Sequence, residues 1–347
     1  MAAKRSLPAF LLAFLFVFLA ACTNSVPTAA PTATSAAVAT VAPTATPTPT
    51  ATPVPDFPVT ITDDEGTAVT IKAKPQKIVS LTPATTETLF AIGAGTRVVG
   101  KVQDVADYPP QASGVPEVAT FAGVDVEKIV ALTPDLVISG GAGLTQGDAV
   151  TKLRAAGIPV IVSYPTSTEA AASIKLIGEA VGERDAANTL ADSIQDKLDR
   201  LSAVAATAKT TPRVFYEIDV TGGIFTPPIE SLYGDMLLLA HSQPAPGNAS
   251  YQISLEQLVA FDPEVILLGD GAYGATPDAV KKREGWGGMT AVKSGAIFPV
   301  DDIVITRPGP RIAEGLYDLV RAIHPELGAE ACAAMRIPCP TPAPAAS

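Results

Sequence analysis

The sequence predicts an α/β protein of two similar lobes joined by a long helical segment, with a ligand cleft between the lobes. Three observations predict this. Short apolar strands alternate with helical stretches from about residue 75 to 327, the pattern of parallel sheets covered by helices. The stretch 166–210 has no proline and carries apolar residues at helical spacing: Ile174, Ile177 and Val181, then Leu190, Ile194, Leu198 and Leu201. The chain also repeats itself. Val126-Glu127-Lys128-Ile129-Val130-Ala131-Leu132-Thr133-Pro134-Asp135-Leu136-Val137-Ile138 is echoed by Leu255-Glu256-Gln257-Leu258-Val259-Ala260-Phe261-Asp262-Pro263-Glu264-Val265-Ile266-Leu267. Each copy is a short helix with an acidic second residue, broken at a proline and followed by an apolar strand.

Composition sets the outer bounds. Hydrophobic residues at 47% and charged residues at 17% describe a folded domain with an apolar leader, not a disordered chain. A net charge of −11 repels phosphate backbones, so no nucleic-acid partner is expected.

Residues 1–21 read as a signal peptide. Lys4 and Arg5 precede an uncharged apolar run at 8–21. As a helix that run spans about 21 Å at about 1.5 Å per residue, short of a hydrocarbon core of about 30 Å. It ends Leu19-Ala20-Ala21-Cys22, which resembles the lipobox of bacterial lipoproteins and implies acylation of Cys22. Residues 22–56 then form a tether almost entirely of Ala, Thr, Pro, Val and Ser. Its repeated X-Pro steps favour polyproline II and a reach on the order of 100 Å. The expected address is the extracytoplasmic side of the cell membrane.

The first lobe is placed at 57–165. Alternation around Asp64-Glu65-Gly66 predicts a hairpin over 57–71. Lys77-Ile78-Val79-Ser80-Leu81 is a strand, and Thr82-Pro83 starts a helix. Strands follow at 98–100, 136–139 and 158–163, with helices at 125–132 and 149–156. The 166–210 stretch is one long helix or two joined near Gly182. The second lobe occupies 211–328, and 329–347 is a C-terminal tail.

Four segments then carry a family resemblance. They are Ile78-Val79-Ser80-Leu81-Thr82-Pro83-Ala84-Thr85-Thr86-Glu87, Asp107-Tyr108-Pro109-Pro110, Val118-Ala119-Thr120-Phe121-Ala122-Gly123, and Glu127 through Val137. In order and spacing they resemble the substrate-binding proteins of cobalamin and iron–siderophore ABC importers, closest to the cobalamin-binding branch. The resemblance implies two Rossmann-like lobes joined by one long α-helix, with the ligand cleft between them. It also implies a monomer that captures cobalamin or a related corrinoid and hands it to importer membrane subunits. A ferric siderophore or haem is the alternative within the family, and a surface sensor or adhesion module the alternative of another class.

Candidate site residues follow. Glu127 and Glu256 occupy equivalent repeat positions. The resemblance implies that they meet arginines of the importer, although acidic residues in a first helical turn also suit the helix dipole. Tyr108, Phe121, Phe225 and Tyr251 offer flat apolar surfaces to a conjugated ligand, or to lobe packing. Arg307 meets a carboxylate, amide or phosphate of a ligand, or pairs with Asp301 or Asp302. Val105 stands where the cobalamin-binding branch can have a tyrosine, and Ser139-Gly140-Gly141 has no aromatic neighbour. Cys332 and Cys339 are expected to form a local disulfide in an exported chain. No metal site, cofactor or catalytic constellation is expected, since His241 and His324 lack a nucleophile motif.

Overall fold

In the first described segment the chain turns on itself at Asp63. The computed structural model describes residues 56–339, apart from Phe121 and Thr145. The expected signal peptide, Cys22, tether and last residues of the tail lie outside the described residues. Strands β1 (Val59–Thr62) and β2 (Ala68–Ile71) pair antiparallel. The buried Asp63 carboxylate holds the turn by accepting from the amides of Glu65 at 3.1 Å and Thr67 at 2.8 Å.

The first lobe is a six-stranded sheet. Its elements in order are β3 (Ile78–Ser80), α1 (Pro83–Ala91), β4 (Val98–Val102), β5 (Glu117–Thr120), β6 (Gly123–Val124), α2 (Val126–Leu132), β7 (Leu136–Ser139), α3 (Gly147–Ala155) and β8 (Val160–Val162). The strand order is β6-β5-β4-β3-β7-β8, and every pairing is parallel except that of β5 with β6. Strands β3, β7 and β8 are buried along their whole length, as their unbroken apolar runs require in a sheet covered on both faces. The short strands β5 and β6 were not anticipated. Two or four residues beside a glycine carry too little periodicity to register.

Of the two readings open for 166–210, the structure takes the second: two helices, α4 (Ala170–Val181) and α5 (Arg184–Ala205), meet at Gly182, and no single helix spans the stretch. Gly182 is the break. It adopts φ 70°, a left-handed conformation that glycine enters without steric cost, and the chain reverses there. The helices then pack side by side, with Lys175 Nζ 2.7 Å from Asp192 Oδ1. Gly178 lets them approach: a Cβ there would stand 2.1 Å from Ala187 Cβ.

The second lobe comprises β9 (Arg213–Glu217), α6 (Leu232–Leu239), β10 (Gln243–Pro244), α7 (Leu255–Phe261), β11 (Val265–Leu268), α8 (Pro277–Lys281), α9 (Thr290–Ser294), β12 (Ile297–Pro299), α10 (Asp302–Ile305), α11 (Ile312–Ile323) and α12 (Gly328–Met335). Its four strands are all parallel, in the order β10-β9-β11-β12. The expected tail from residue 329 is in its first part a helix. Ala331, Cys332, Ala334 and Met335 of α12 are buried in the central core, and apolar burial orders this segment. Cys332 and Cys339 are joined as a disulfide with a Cα–Cα separation of 5.3 Å.

Each lobe has its own core on one face of its sheet, around Val79, Ile129 and Val137 in the first and Phe215, Ile266 and Trp286 in the second. A third core is continuous between lobes. It runs from Ile78 and Leu89 through Ile174 and Ile177 of α4 and Ile194, Leu198 and Leu201 of α5 to Leu316 and Val320 of α11. Dense apolar packing resists deformation, so the lobes are held by a stiff helical layer and not by a loose linker.

Candidate ligand cleft

The repeat seen in sequence is repeated in space. Helix α2 is capped by Asp125, whose carboxylate accepts from the Lys128 amide at 2.9 Å. Helix α7 is capped by a reciprocal pair, in which Ser254 Oγ accepts from the Gln257 amide and Gln257 Oε1 from the Ser254 amide. Both helices end in a left-handed residue, Thr133 at φ 50° and Asp262 at φ 49°, then pass through proline into a buried strand. Glu127 and Glu256 are the second residues of these helices and are exposed. Neither forms a salt bridge among the described residues. Helices that precede parallel strands begin at the edge formed by the strands' C-terminal ends, so each glutamate lies at that edge of its sheet.

The same edges enclose a cavity of about 950 Å³. The first lobe contributes Leu81 and Thr82 after β3, Val102 of β4, Thr120 of β5, and Ser163 and Tyr164 after β8. The second contributes Tyr233 and Asp235 of α6, Tyr251, Tyr273 beyond β11, and Asp302 of α10. The threonine wall is internally satisfied. Thr82 Oγ1 accepts from the Thr85 amide and donates to Thr85 Oγ1, while Ser80 and Thr86 hydroxyls share a bond at 2.9 Å. The tyrosines approach one another across the gap. Burial first, then the nearby Tyr251, pushes the Tyr164 phenol above its ordinary value. Tyr233 meets Tyr216 edge-on at 5.3 Å, and Tyr216 donates to Asp302 Oδ1 at 2.7 Å.

The residues expected to touch ligand separate here. Tyr251 and Arg307 line the cavity. Phe121 lies outside the described residues. Phe225 is half-buried among the loop bridges to Asp219 and Gln252 and does not line the cavity. Tyr108 does not line it either: its ring lies under the Arg311 guanidinium, 3.9 Å from the centroid. Tyr164, Tyr233 and Tyr273 do line it, and sequence reasoning passed over them. Their signal was position, since Tyr164 directly follows a predicted strand and Tyr273 lies in the glycine-rich loop after another.

Arg307 has an unforeseen setting. Its partners are not Asp301 or Asp302 but two carboxylates of the opposite lobe. Nη1 lies 2.8 Å from Asp104 Oδ2 and 3.1 Å from Glu87 Oε1. Arg311 completes the cluster, with Nε 2.9 Å and Nη2 2.7 Å from Glu87. The Glu87 side chain is 1% exposed and that of Arg307 11%. Burial opposes ionisation of Asp104, but hydrogen bonds from Arg307 and from the Ala106 amide outweigh it, so its carboxyl sits below the usual range. Two carboxylates and two guanidiniums thus form a buried clasp between lobes.

A second buried acid lies in the second lobe, outside the cavity lining. Glu217, at the end of β9, is fully buried and paired with Arg283 through both oxygens. Burial, and after it the Glu217 charge, pushes the neighbouring Asp270 carboxyl up to about 6. Among the described residues no group of three or more His, Cys, Asp or Glu side chains is arranged to hold a metal ion. No described helix is long and apolar enough to cross a membrane. His324 is buried, does not line the cavity, and donates from Nε2 to the Ala240 carbonyl at 3.0 Å.

Two parallel-sheet lobes, facing one another across a large cavity and tied by one helical layer, define a two-lobed binding protein. Residues 78–304 match the periplasmic binding protein family, and the chain belongs to that family. It is 35% identical over 277 residues to the uncharacterized ABC transporter substrate-binding lipoprotein YvrC of Bacillus subtilis, covering 78% of this chain and 87% of the relative. It is 31% identical over 282 residues to the cobalamin-binding protein of Halobacterium salinarum, covering 77% and 74%. Among solved structures it resembles the periplasmic heme-binding protein RhuT of Roseiflexus sp. RS-1, with a TM-score of 0.62, 25% identity and coverage of 73% and 99%.

Proposed function

We propose that this chain is the extracytoplasmic substrate-binding lipoprotein of an ABC importer and that it captures cobalamin or a related corrinoid. The observation that carries the reading is the cleft. At about 950 Å³ it lies at the upper end of small-molecule sites, roughly 300–1,000 Å³. Its walls hold tyrosine rings, whose faces suit a broad, conjugated macrocycle. Kinship to a cobalamin-binding protein supports the same ligand class. Tyr251 and Tyr164 are the stacking and hydrogen-bonding groups on opposite walls. Arg307 shapes the wall without offering a free charge. Glu127 and Glu256 are the docking handles for importer subunits, exposed and unpaired at equivalent places. Cys22 carries the lipid anchor, the protein acts as a monomer, and it catalyses no reaction. A haem or siderophore cargo is the second reading, favoured by the likeness to a heme-binding structure.

The test is a thermal-unfolding series of the full chain in detergent against cyanocobalamin, cobinamide, haemin and a ferric hydroxamate. Selective binding to the folded state raises Tm with ligand concentration, about 2.7 kcal/mol at a hundredfold excess over Kd. We expect the corrinoids to raise it. A shift with haemin or the hydroxamate alone transfers the proposal to the second reading.

A further inference from the structure

Resting on the reading of this cleft as the ligand site, we infer that it selects by charge, accepting ligands with a neutral or cationic rim and rejecting carboxylate-rimmed or polyanionic ones. Among the described residues lining the cavity, the one basic side chain is Arg307. Its guanidinium is committed to Asp104 and Glu87 and is nearly withdrawn from solvent. With Arg311 the clasp is locally neutral, so Arg307 lends the cavity no net positive charge. A ligand carboxylate would have to displace a buried carboxylate to reach it, leaving that group unpaired in a poorly hydrated place.

The charge of the cavity left without a salt bridge is negative and comes from one wall. Glu230, Asp235 and Asp302 line it from the second lobe, and none forms a salt bridge among the described residues. Burial, and after it the charge of Glu169, raises the Asp235 carboxyl. Asp302 is likewise raised, by burial above all and also by the Asp301 charge, against the Tyr216 hydrogen bond and the Arg307 charge. Both acids therefore already ionise at a cost, which a ligand anion increases and a ligand cation relieves. At about 10 Å and an effective dielectric of about 20, one charge pair changes affinity about tenfold. The facing wall carries no charged side chain; its threonine, serine and tyrosine hydroxyls lie among apolar residues such as Leu81, Val102, Val105 and Val124. Such a wall suits the amide-rimmed corrin. It offers the carboxylates of haem hydroxyl donors but no cationic partner.

The experiment is calorimetric titration of the full chain with two pairs of probes of opposite charge. The first pair keeps the ring and changes the rim: cobinamide, amide-rimmed and cationic, against cobyrinic acid, carboxylate-rimmed. The second is independent of corrinoids: cationic ferrioxamine B against trianionic ferric enterobactin. We expect cobinamide to bind at least about tenfold tighter than cobyrinic acid. The double variant Glu230→Gln, Asp235→Asn should shrink that ratio, most visibly at low salt. Equal or tighter binding of cobyrinic acid overturns the charge rule while sparing the corrinoid reading, as does a ratio unmoved by the double variant. If neither corrinoid binds, the corrinoid reading falls and the iron chelates still judge the rule: preference for ferrioxamine B upholds it and preference for ferric enterobactin overturns it. Binding of none of the four overturns both.

Discussion

Arg307 is a residue whose type was noticed and whose partners were not. In sequence it stands in a proline-rich turn near Asp301 and Asp302. In the fold it reaches across the cleft to Asp104 and Glu87. Removing it leaves two buried carboxylates short of a partner, a change that costs about 3–5 kcal/mol when the pair is buried. Arg307→Ala should therefore lower Tm by about 10 °C for a domain of this size, with any affinity loss following from the altered cleft. An unchanged melting curve with lost binding would make Arg307 a plain ligand contact. Asp270 makes a second prediction. Its carboxyl, at about 6 in the fold, lies above its ordinary value of 3.8. A raised carboxyl means that the folded state holds the extra proton between those values. Its favourable contribution is complete below 3.8 and is lost as pH rises through about 6. Asp270→Asn should flatten that part of the stability–pH curve and raise Tm at neutral pH, as scanning calorimetry at pH 4.5 and 7.5 would read.

At the scale of elements, two glycines decide how the lobes are joined. Hydrophobic periodicity over 166–210 is continuous enough to read as one helix, because both segments bury a face of the same core. The reversal depends on Gly182 in a left-handed conformation and on the contact of Gly178 with Ala187. Gly178→Ala forces overpacking at that crossing and should cost about 1–3 kcal/mol. Gly182→Ala places a side chain in the left-handed region and should cost about 1–2 kcal/mol. Urea titration of each variant checks the order. Equal stability of Gly178→Ala and the parent would mean that the helices do not meet so closely. The short helices α2 and α7 were legible for the opposite reason. Their caps and closing prolines are local signals, which need no knowledge of the rest of the chain.

For the whole molecule, the continuous core through α4, α5 and α11 implies that ligand capture involves small movement, on the order of 1 Å or less in the backbone of each lobe. On the proposed function, docking then depends on surface charge presented by a stiff body. Glu127→Ala with Glu256→Ala should leave ligand affinity unchanged and slow association with the importer subunits in a salt-sensitive manner. Surface plasmon resonance against the reconstituted importer is the measurement, and wild-type association rates at low salt would remove the docking role.

The fold class, the internal repeat and its caps, and the pairing of two cysteines near one another in sequence are written in the chain itself. They rest on interactions over a few residues or on a periodicity that one element carries alone. The cleft chemistry is different in kind. Glu87 and Arg307 lie 220 residues apart, and nothing local to either marks the other as its partner. Tyr164, Asp235 and Asp302 become neighbours of one cavity only when two sheets present their C-terminal edges to each other. Which charges are spent on the protein and which remain for a ligand is a property of that meeting, because electrostatic commitment depends on distance and burial, and the folded chain alone sets both.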